Sequence, residues 1–312
     1  MKKKYIVSVA VLAMLALTPT VMAEPLDVTG DFRLQGRSFD DTLKAESYFQ
    51  FRTRIGFEAK LDDNTVFFSR LSAVSHLGES SSSALDQYGI KMTNGNWKFS
   101  LGRQAVNLGY GSIINTGNDA ASGDNKFDGL VASTSEGKVS FNAIAGKTTA
   151  TLNQAVALEW YGFDANVKLG EKVSAGLAYA TNNTLGASAT YKALNTKVAF
   201  SDKVAMNAEY VASGKDTDNT GYFIAGTYSQ GKDSITLQYN KVDKNALDAY
   251  NSGIGGSSYP FADGFTDYKG LTYIYAHTLS KSQMVNLVYM DLQNDAGTQK
   301  DKQFVGSFIY TF

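Results

Sequence analysis

The sequence predicts an all-β fold, a transmembrane antiparallel β-barrel of 16 strands, on three observations. Apolar residues make up 43% of the 312-residue chain, yet mean hydropathy is −0.21. Past the N-terminus no run approaches the roughly 18 apolar residues of a spanning helix, so the apolar residues are dispersed by alternation. Only 3 prolines interrupt the chain, against 29 glycines and 18 tyrosines, a balance suited to long unbroken strands, tight turns and amphipathic rings. The closing stretch from Phe304 to Phe312 alternates, with large apolar or ring side chains at 304, 308, 310 and 312 on one face. It carries neither a gatekeeper charge nor a proline. That suits a barrel whose last strand pairs with its first and leaves no open edge in lipid.

The N-terminus reads as a cleaved secretory signal over residues 1–23. Lys2-Lys3-Lys4 is a positive head, Tyr5 to Leu17 an apolar stretch, and Val21-Met22-Ala23 a small-residue cleavage site. Residues 24–312 are then the barrel domain, 289 residues after removal of 23 from 312. The signal takes three lysines with it, so Lys+Arg falls from 29 to 26 against 30 Asp+Glu, a net charge of −4. That balance argues against a nucleic-acid partner. With no cysteine, neither a disulfide framework nor a thiolate metal site can form, and no cofactor is expected.

The clearest strand covers 46–61, where Phe49, Phe51, Ile55 and Phe57 share one face and Gln50, Arg52, Arg54 and Glu58 the other. A helical period would mix the two sets. The same reading places strands at 27–39, 65–75, 85–93, 97–104, 127–134, 138–147 and 153–168. The second half adds 173–181, 184–200, 204–213, 221–229, 233–242, 268–279, 283–293 and 302–312. A switch of apolar face around Trp160-Tyr161-Gly162-Phe163 suggests a bulge at Gly162, and 14 to 18 strands remain compatible with the pattern. Turns on one side are tight, such as Asp62-Asp63-Asn64, Asn94-Gly95-Asn96 and Gln230-Gly231-Lys232. Connections on the other side, among them 76–84, 105–126 and 243–267, are mostly long. Short periplasmic turns with long external loops are the topology of bacterial outer-membrane barrels.

A barrel of this size encloses water, so the inward side chains carry the function. Alternation turns Arg33 and Arg37 inward from the first strand, Arg52 and Arg54 from the second, Arg70 from the third and Lys91 from the fourth. Lipid-facing arginine costs roughly 2–4 kcal/mol at the bilayer midplane, so these side chains belong in water. Together they form a basic ladder on one wall.

The C-terminal strand ending on Phe312, with aromatics at alternate positions before it, resembles the terminal strand of Gram-negative outer-membrane barrels. The resemblance implies recognition of that strand by the barrel-assembly machinery. The stretch Ala105 to Lys126, rich in glycine and set between Gly102-Arg103-Gln104 and Phe127-Asp128-Gly129, resembles the third external loop of general diffusion porins. That likeness implies a loop folded into the lumen, with Asp119, Asp124 and Asp128 facing Arg33, Arg52, Arg54 and Arg70, and Arg103 at the loop root. It further implies passive diffusion of small hydrophilic solutes and ions, a homotrimer, and surroundings of outer-membrane lipid and lipopolysaccharide. Opposed charges across a narrow pore favour polar solutes over apolar ones.

Three rivals come from other classes. An outer-membrane hydrolase would need His76 or His277, and neither sits in a Ser/His/Asp spacing above chance. A substrate-specific channel for sugar, phosphate or organic acid would use lumen rings such as Tyr48, Phe68 and Tyr110. An adhesin could use the long 243–267 loop, and Asp216 and Asp218 read better as solvated loop acids than as a cation site.

Overall fold

Alternation decides the structure, seen in a computed structural model that describes residues 26–41, 45–116, 126–149, 157–184, 187–248 and 267–312. The expected signal, residues 1–23, lies outside the described residues. The strands of the first half are β1 (Asp27–Asp41), β2 (Ala45–Lys60), β3 (Thr65–His76), β4 (Ser82–Asn94), β5 (Trp97–Gln104), β6 (Asn107–Leu108), β7 (Ile114–Asn115), β8 (Phe127–Glu136) and β9 (Val139–Thr148). The second half contributes β10 (Glu159–Lys168), β11 (Val173–Thr184), β12 (Ala187–Ala199), β13 (Val204–Ser213), β14 (Thr220–Gln230) and β15 (Asp233–Val242). It ends with β16 (Tyr268–Ser280), β17 (Gln283–Gln293) and β18 (Lys300–Thr311). Sixteen of these close into one antiparallel barrel, while β6 and β7 form a separate two-stranded ladder within the 105–126 connection.

Closure is made by β1 and β18, paired from Asp31↔Thr311 to Asp41↔Asp301. Beyond that ladder, the Gly30 N–H donates to the Phe312 carbonyl at 2.9 Å and the Phe312 N–H to the Gly30 carbonyl at 3.0 Å. The last residue therefore completes the seam. Its ring lies over Gly30: a Cβ there would stand 2.4 Å from Phe312 Cζ and 2.6 Å from the Arg54 carbonyl oxygen. Only a glycine fits beneath that ring.

The two faces separate by parity. Along β18, Gln303, Val305 and Ser307 are buried, whereas Phe304, Tyr310 and the following Phe312 stand exposed. Across the seam Arg33 and Gln35 are buried while Val28 is exposed. Exposed apolar residues such as Leu101, Leu194, Ile224 and Ile235 thus cover the outside, and polar groups gather within. This is the reverse of a soluble core and the pattern of a barrel in lipid.

Four strands, 97–104, 204–213, 233–242 and 283–293, begin and end where alternation placed them. The expected bulge at Gly162 is absent: pairing runs unbroken through Gly162↔Ala180 and Gly162↔Ile144. The apparent switch arises because Trp160 points inward and is fully buried, a ring where alternation leads one to expect a polar side chain. Irregularities occur instead at Arg70/Leu71 against β4 and at Thr278/Ser280 against β17. Replacing Gly30 by Val should destabilise the refolded barrel by about 2 kcal/mol, since the added carbons meet both a ring and a backbone oxygen. Gly226→Ala, where open space surrounds the position, should stay within about 0.5 kcal/mol. Urea denaturation in detergent micelles separates the two outcomes.

Candidate functional site

The register stacks the inward side chains of β1 to β4 into rows. Arg37 lies opposite Tyr48, Gln35 opposite Gln50, Arg33 opposite Arg52, and Asp31 opposite Arg54. β3 extends three of these rows with His76 beside Gln50, Val74 beside Arg52 and Ser72 beside Arg54. The basic ladder is thus one continuous surface, and its carboxylates sit within it. Asp31 accepts from Arg52 Nη2 at 2.9 Å and from Arg54 Nε at 2.7 Å. Arg33 donates to Gln50 at 3.1 Å, and Arg37 donates to Gln35 at 2.7 Å.

The bulge at Arg70/Leu71 gives this wall its second acid. Leu71 pairs with Leu85 and Arg70 with Gln87, so Asp86 is the extra residue. It is 1% exposed and takes a two-pronged contact from Arg70, Nε to Oδ1 at 3.0 Å and Nη2 to Oδ2 at 2.7 Å. Lys126, itself fully buried at the loop root, places its ammonium 3.9 Å from the same carboxylate. A buried carboxylate is costly unless paired, and the bidentate guanidinium meets that need. Lys91 bonds Glu58 and lies 5.1 Å above the Phe68 ring. Arg70, Lys91 and Glu58 line a recess of about 320 Å³ that also touches Gln104 and Ala105 at the start of the loop.

Arg103 and Asp128 belong elsewhere. They bond each other twice at 2.7 Å and pair with Tyr88 and Lys147, on the parity of the exposed Leu101 and Leu130. The expectation that Asp128 faces the arginine rows is therefore not met, because alternation in β8 turns it to the outer face. Arg103 does sit at the loop root. Asp119 and Asp124 lie outside the described residues.

The first half of the long connection crosses to the opposite side. β6 and β7 pair Asn107↔Asn115 and Leu108↔Ile114, and the turn between them rests on β10 and β13. The Tyr110 N–H donates to both carboxylate oxygens of Glu209, at 3.2 and 3.0 Å, and the Ser112 hydroxyl donates to the same group. The Gly109 N–H is directed to Asp164. Leu108, Ile113 and Ile114 are fully buried against Trp160 and its neighbours, and the Tyr110 ring lies 6.0 Å from Phe223. Gly162 makes room for this packing, since a Cβ there would come within 2.9 Å of Leu108 Cδ1. Burial, with Glu209 beside it, pushes the Tyr110 phenol above its ordinary value, so the ring stays neutral.

Sequence reasoning missed Asp86, Glu209 and Asp164. Asp86 had a signal: apolar residues at 85, 88, 90 and 92 contain one step of three, which is what an inserted residue does to a period of two. Glu209 and Asp164 had none, because their role depends on the 109–112 turn, which is distant from both in sequence. Of the histidines, His76 contacts Tyr48 and Glu79, and His277 bonds Asp233 at 2.7 Å on the outer face.

No family model and no curated protein matches the chain. Solved structures do. A porin of Rhodopseudomonas blastica carrying five substitutions superposes with a TM-score of 0.60 at 12% identity, over 92% of this chain and 100% of that one. A loop-deletion variant of OmpT, an outer membrane protein of Vibrio cholerae, gives 0.63 at 12% identity, over 92% of this chain and 99% of that one. Likeness at this identity establishes the fold, and the fold is that of the outer-membrane porins.

Glu209→Ala should free the 109–112 turn and raise single-channel conductance, because the Tyr110 N–H and the Ser112 hydroxyl lose their acceptor. Hydrogen bonds to a charged group contribute roughly 1.5–3 kcal/mol each. Glu209→Gln, which keeps one carbonyl oxygen for the Tyr110 N–H, should fall between the two. Equal conductance in all three proteins would show that the turn does not depend on this carboxylate.

Proposed function

We propose that the protein is a porin of the bacterial outer membrane: a water-filled pore for passive diffusion of small hydrophilic solutes and ions. The observation that carries this is the pairing of two lumen features inside a closed 16-strand barrel. One wall presents stacked guanidiniums from Arg33, Arg37, Arg52, Arg54 and Arg70, with Asp31 and Asp86 embedded among them. From the other side, residues 105–116 are held to the inner wall by Glu209, which supports a loop that turns inward and narrows the passage.

The chemistry of such a passage follows from its charges. Water in the gap is oriented between the guanidinium rows and the polar loop, so a solute that keeps its hydration or replaces it with hydrogen bonds passes readily. An apolar solute has to break that order. Guanidiniums serve here because they donate in a fixed fork, so the rows hold their shape while ions move past. Acting with Arg103 outside the lumen, Asp128 contributes to the outer rim rather than to the field.

The proposed surroundings are outer-membrane lipid with lipopolysaccharide, reached by export through the secretory pathway and insertion by the barrel-assembly machinery through the strand that ends at Phe312. Homotrimer formation belongs to the same proposal. The channel reading is preferred to a hydrolase because His76 and His277 are engaged with Glu79 and Asp233 on separate faces, far from any shared nucleophile geometry.

Reversal potential across a planar bilayer under a salt gradient tests the arginine wall. Removing Arg52 and Arg54 by alanine substitution subtracts two positive charges and also leaves Asp31 without those two donors. A unit charge about 4 Å from an ion in water contributes roughly 1 kcal/mol, a factor of about five, and acts with opposite sign on anion and cation, so the anion-to-cation permeability ratio should fall by at least about fivefold. The shift should shrink as salt rises and screening shortens. An unchanged reversal potential would remove Arg52 and Arg54 from the selectivity wall.

A further inference from the structure

On the outer face of β14 to β16, beside the tight turns, a polar cluster interrupts the apolar surface. Ile235, Leu237, Tyr239 and Tyr273 are exposed on this face, side chains suited to lipid. At the rim the same parity reaches Gln230, Asp233 and His277, which lie opposite one another in the three strands. Asp233 accepts on Oδ1 from the Tyr275 hydroxyl at 2.6 Å, and the same oxygen meets His277 Nδ1 at 2.7 Å. Its side chain is 49% exposed, so the second oxygen, Oδ2, is open to a ligand. Lys232, exposed in the turn, gives an N–H to the Leu279 carbonyl at 3.0 Å, and its ammonium carries two more. The Tyr228 hydroxyl donates to Gln230 Oε1, so the exposed Gln230 amide keeps its N–H groups for another acceptor. These groups border a recess of about 590 Å³, lined also by Tyr228 and Ile235. Two residues further from the rim than Tyr228 comes Gly226, exposed between Met206 and Leu237, with nothing within 4 Å of where a Cβ would stand.

We infer that this recess is a headgroup site for a glycerophospholipid bearing a primary ammonium, phosphatidylethanolamine, in the leaflet on the tight-turn side. The inference rests on the barrel's place in the outer membrane and does not require that it conduct. Lys232 is a compact charge with rotatable donors, suited to a phosphate, and the Gln230 amide adds a neutral donor beside it. Asp233 takes the ammonium on Oδ2, while Tyr275 and His277 hold the carboxylate in place through Oδ1. Apart from the imidazole, the recess is thus lined by one cation and one anion, adjacent in the chain, as a zwitterionic headgroup requires. A phosphatidylglycerol would bring an anion to Asp233 with no ammonium to meet it. A choline has no N–H to donate. Tyr228 and Ile235 give the glycerol backbone an amphipathic border, at the depth where rings gather in membrane barrels. From there the gap at Gly226 leaves a lane for an acyl chain.

Native mass spectrometry of the refolded barrel, released from micelles titrated with dioleoyl phosphatidylethanolamine, phosphatidylcholine or phosphatidylglycerol, tests this. Phosphatidylethanolamine should be retained saturably and more tightly than either comparison lipid. A half-exposed charge pair alters affinity by up to about fivefold, so Asp233→Asn, which keeps an oxygen for Tyr275 and His277, should weaken it by about that factor. The same variant should lose the preference over phosphatidylcholine. Lys232→Gln, a change confined to an exposed turn, should weaken phosphatidylethanolamine to a similar extent and carries the test if the first variant does not fold. Heat-modifiable migration confirms that each variant is folded. Equal retention of phosphatidylethanolamine by a folded variant and the parent overturns the site. Phosphatidylcholine or phosphatidylglycerol held as tightly as phosphatidylethanolamine overturns the assigned headgroup. Glycerophosphoethanolamine, the headgroup without its chains, binding as tightly as the lipid overturns the lipid assignment. Asp233-dependent retention by a barrel that passes no current would support the site and overturn the pore reading, so the two failures are distinguishable.

Discussion

Every strand of the barrel needs a hydrogen-bonded neighbour on both sides, and that requirement shapes the rest. In lipid an unpaired backbone N–H or carbonyl has no water to turn to, so the sheet has to return to its start. β1 and β18 meet that need with a continuous ladder, completed by the reciprocal bonds of Gly30 and Phe312. Once the sheet is closed, each strand has one wet and one dry face, and the period of two sorts every side chain between them. Arginines in β1, β2 and β3 fall inside by parity alone. The same parity carries Arg103 and Asp128 outside.

Inside, the protein handles charge in two different ways. On the β1–β4 wall, guanidiniums and carboxylates are intermixed, so Asp31 and Asp86 hold Arg52, Arg54 and Arg70 in fixed positions. On the far wall a buried carboxylate, Glu209, is satisfied chiefly by backbone and hydroxyl donors from the loop. The first arrangement sets a field and the second sets a shape. Apolar packing reinforces the second: Leu108, Ile113, Ile114, Phe127 and Trp160 form a small dry core between loop and wall. That core explains why inward positions of β10, β13 and β14 carry Trp160, Val211 and Phe223 rather than polar residues.

Strand order, the tight turns and the basic rows were legible in the sequence because each depends on local alternation or on turn chemistry. Arg33, Arg52, Arg54 and Arg70 could be placed from their strands alone. What escaped depends on contacts distant in sequence. Trp160 read as a change of face at Gly162 because its partner, Leu108, lies far back in the chain, and nothing local to Glu209 announces the loop it holds. Asp128 was misplaced for another reason: the likeness of its neighbourhood to a porin loop outweighed the parity of its own strand. Asp86 stood between, visible only as a slip in the apolar spacing of β4.

The central claim is that this barrel encloses water rather than a sealed core. Proteoliposomes containing the refolded protein, placed in isotonic solutions of uncharged sugars, test it directly. A water-filled passage predicts swelling that is fast in a pentose, slower in a disaccharide and slower still in a tetrasaccharide. Folded protein that gives no swelling in any of them, at the rate of protein-free vesicles, would contradict it.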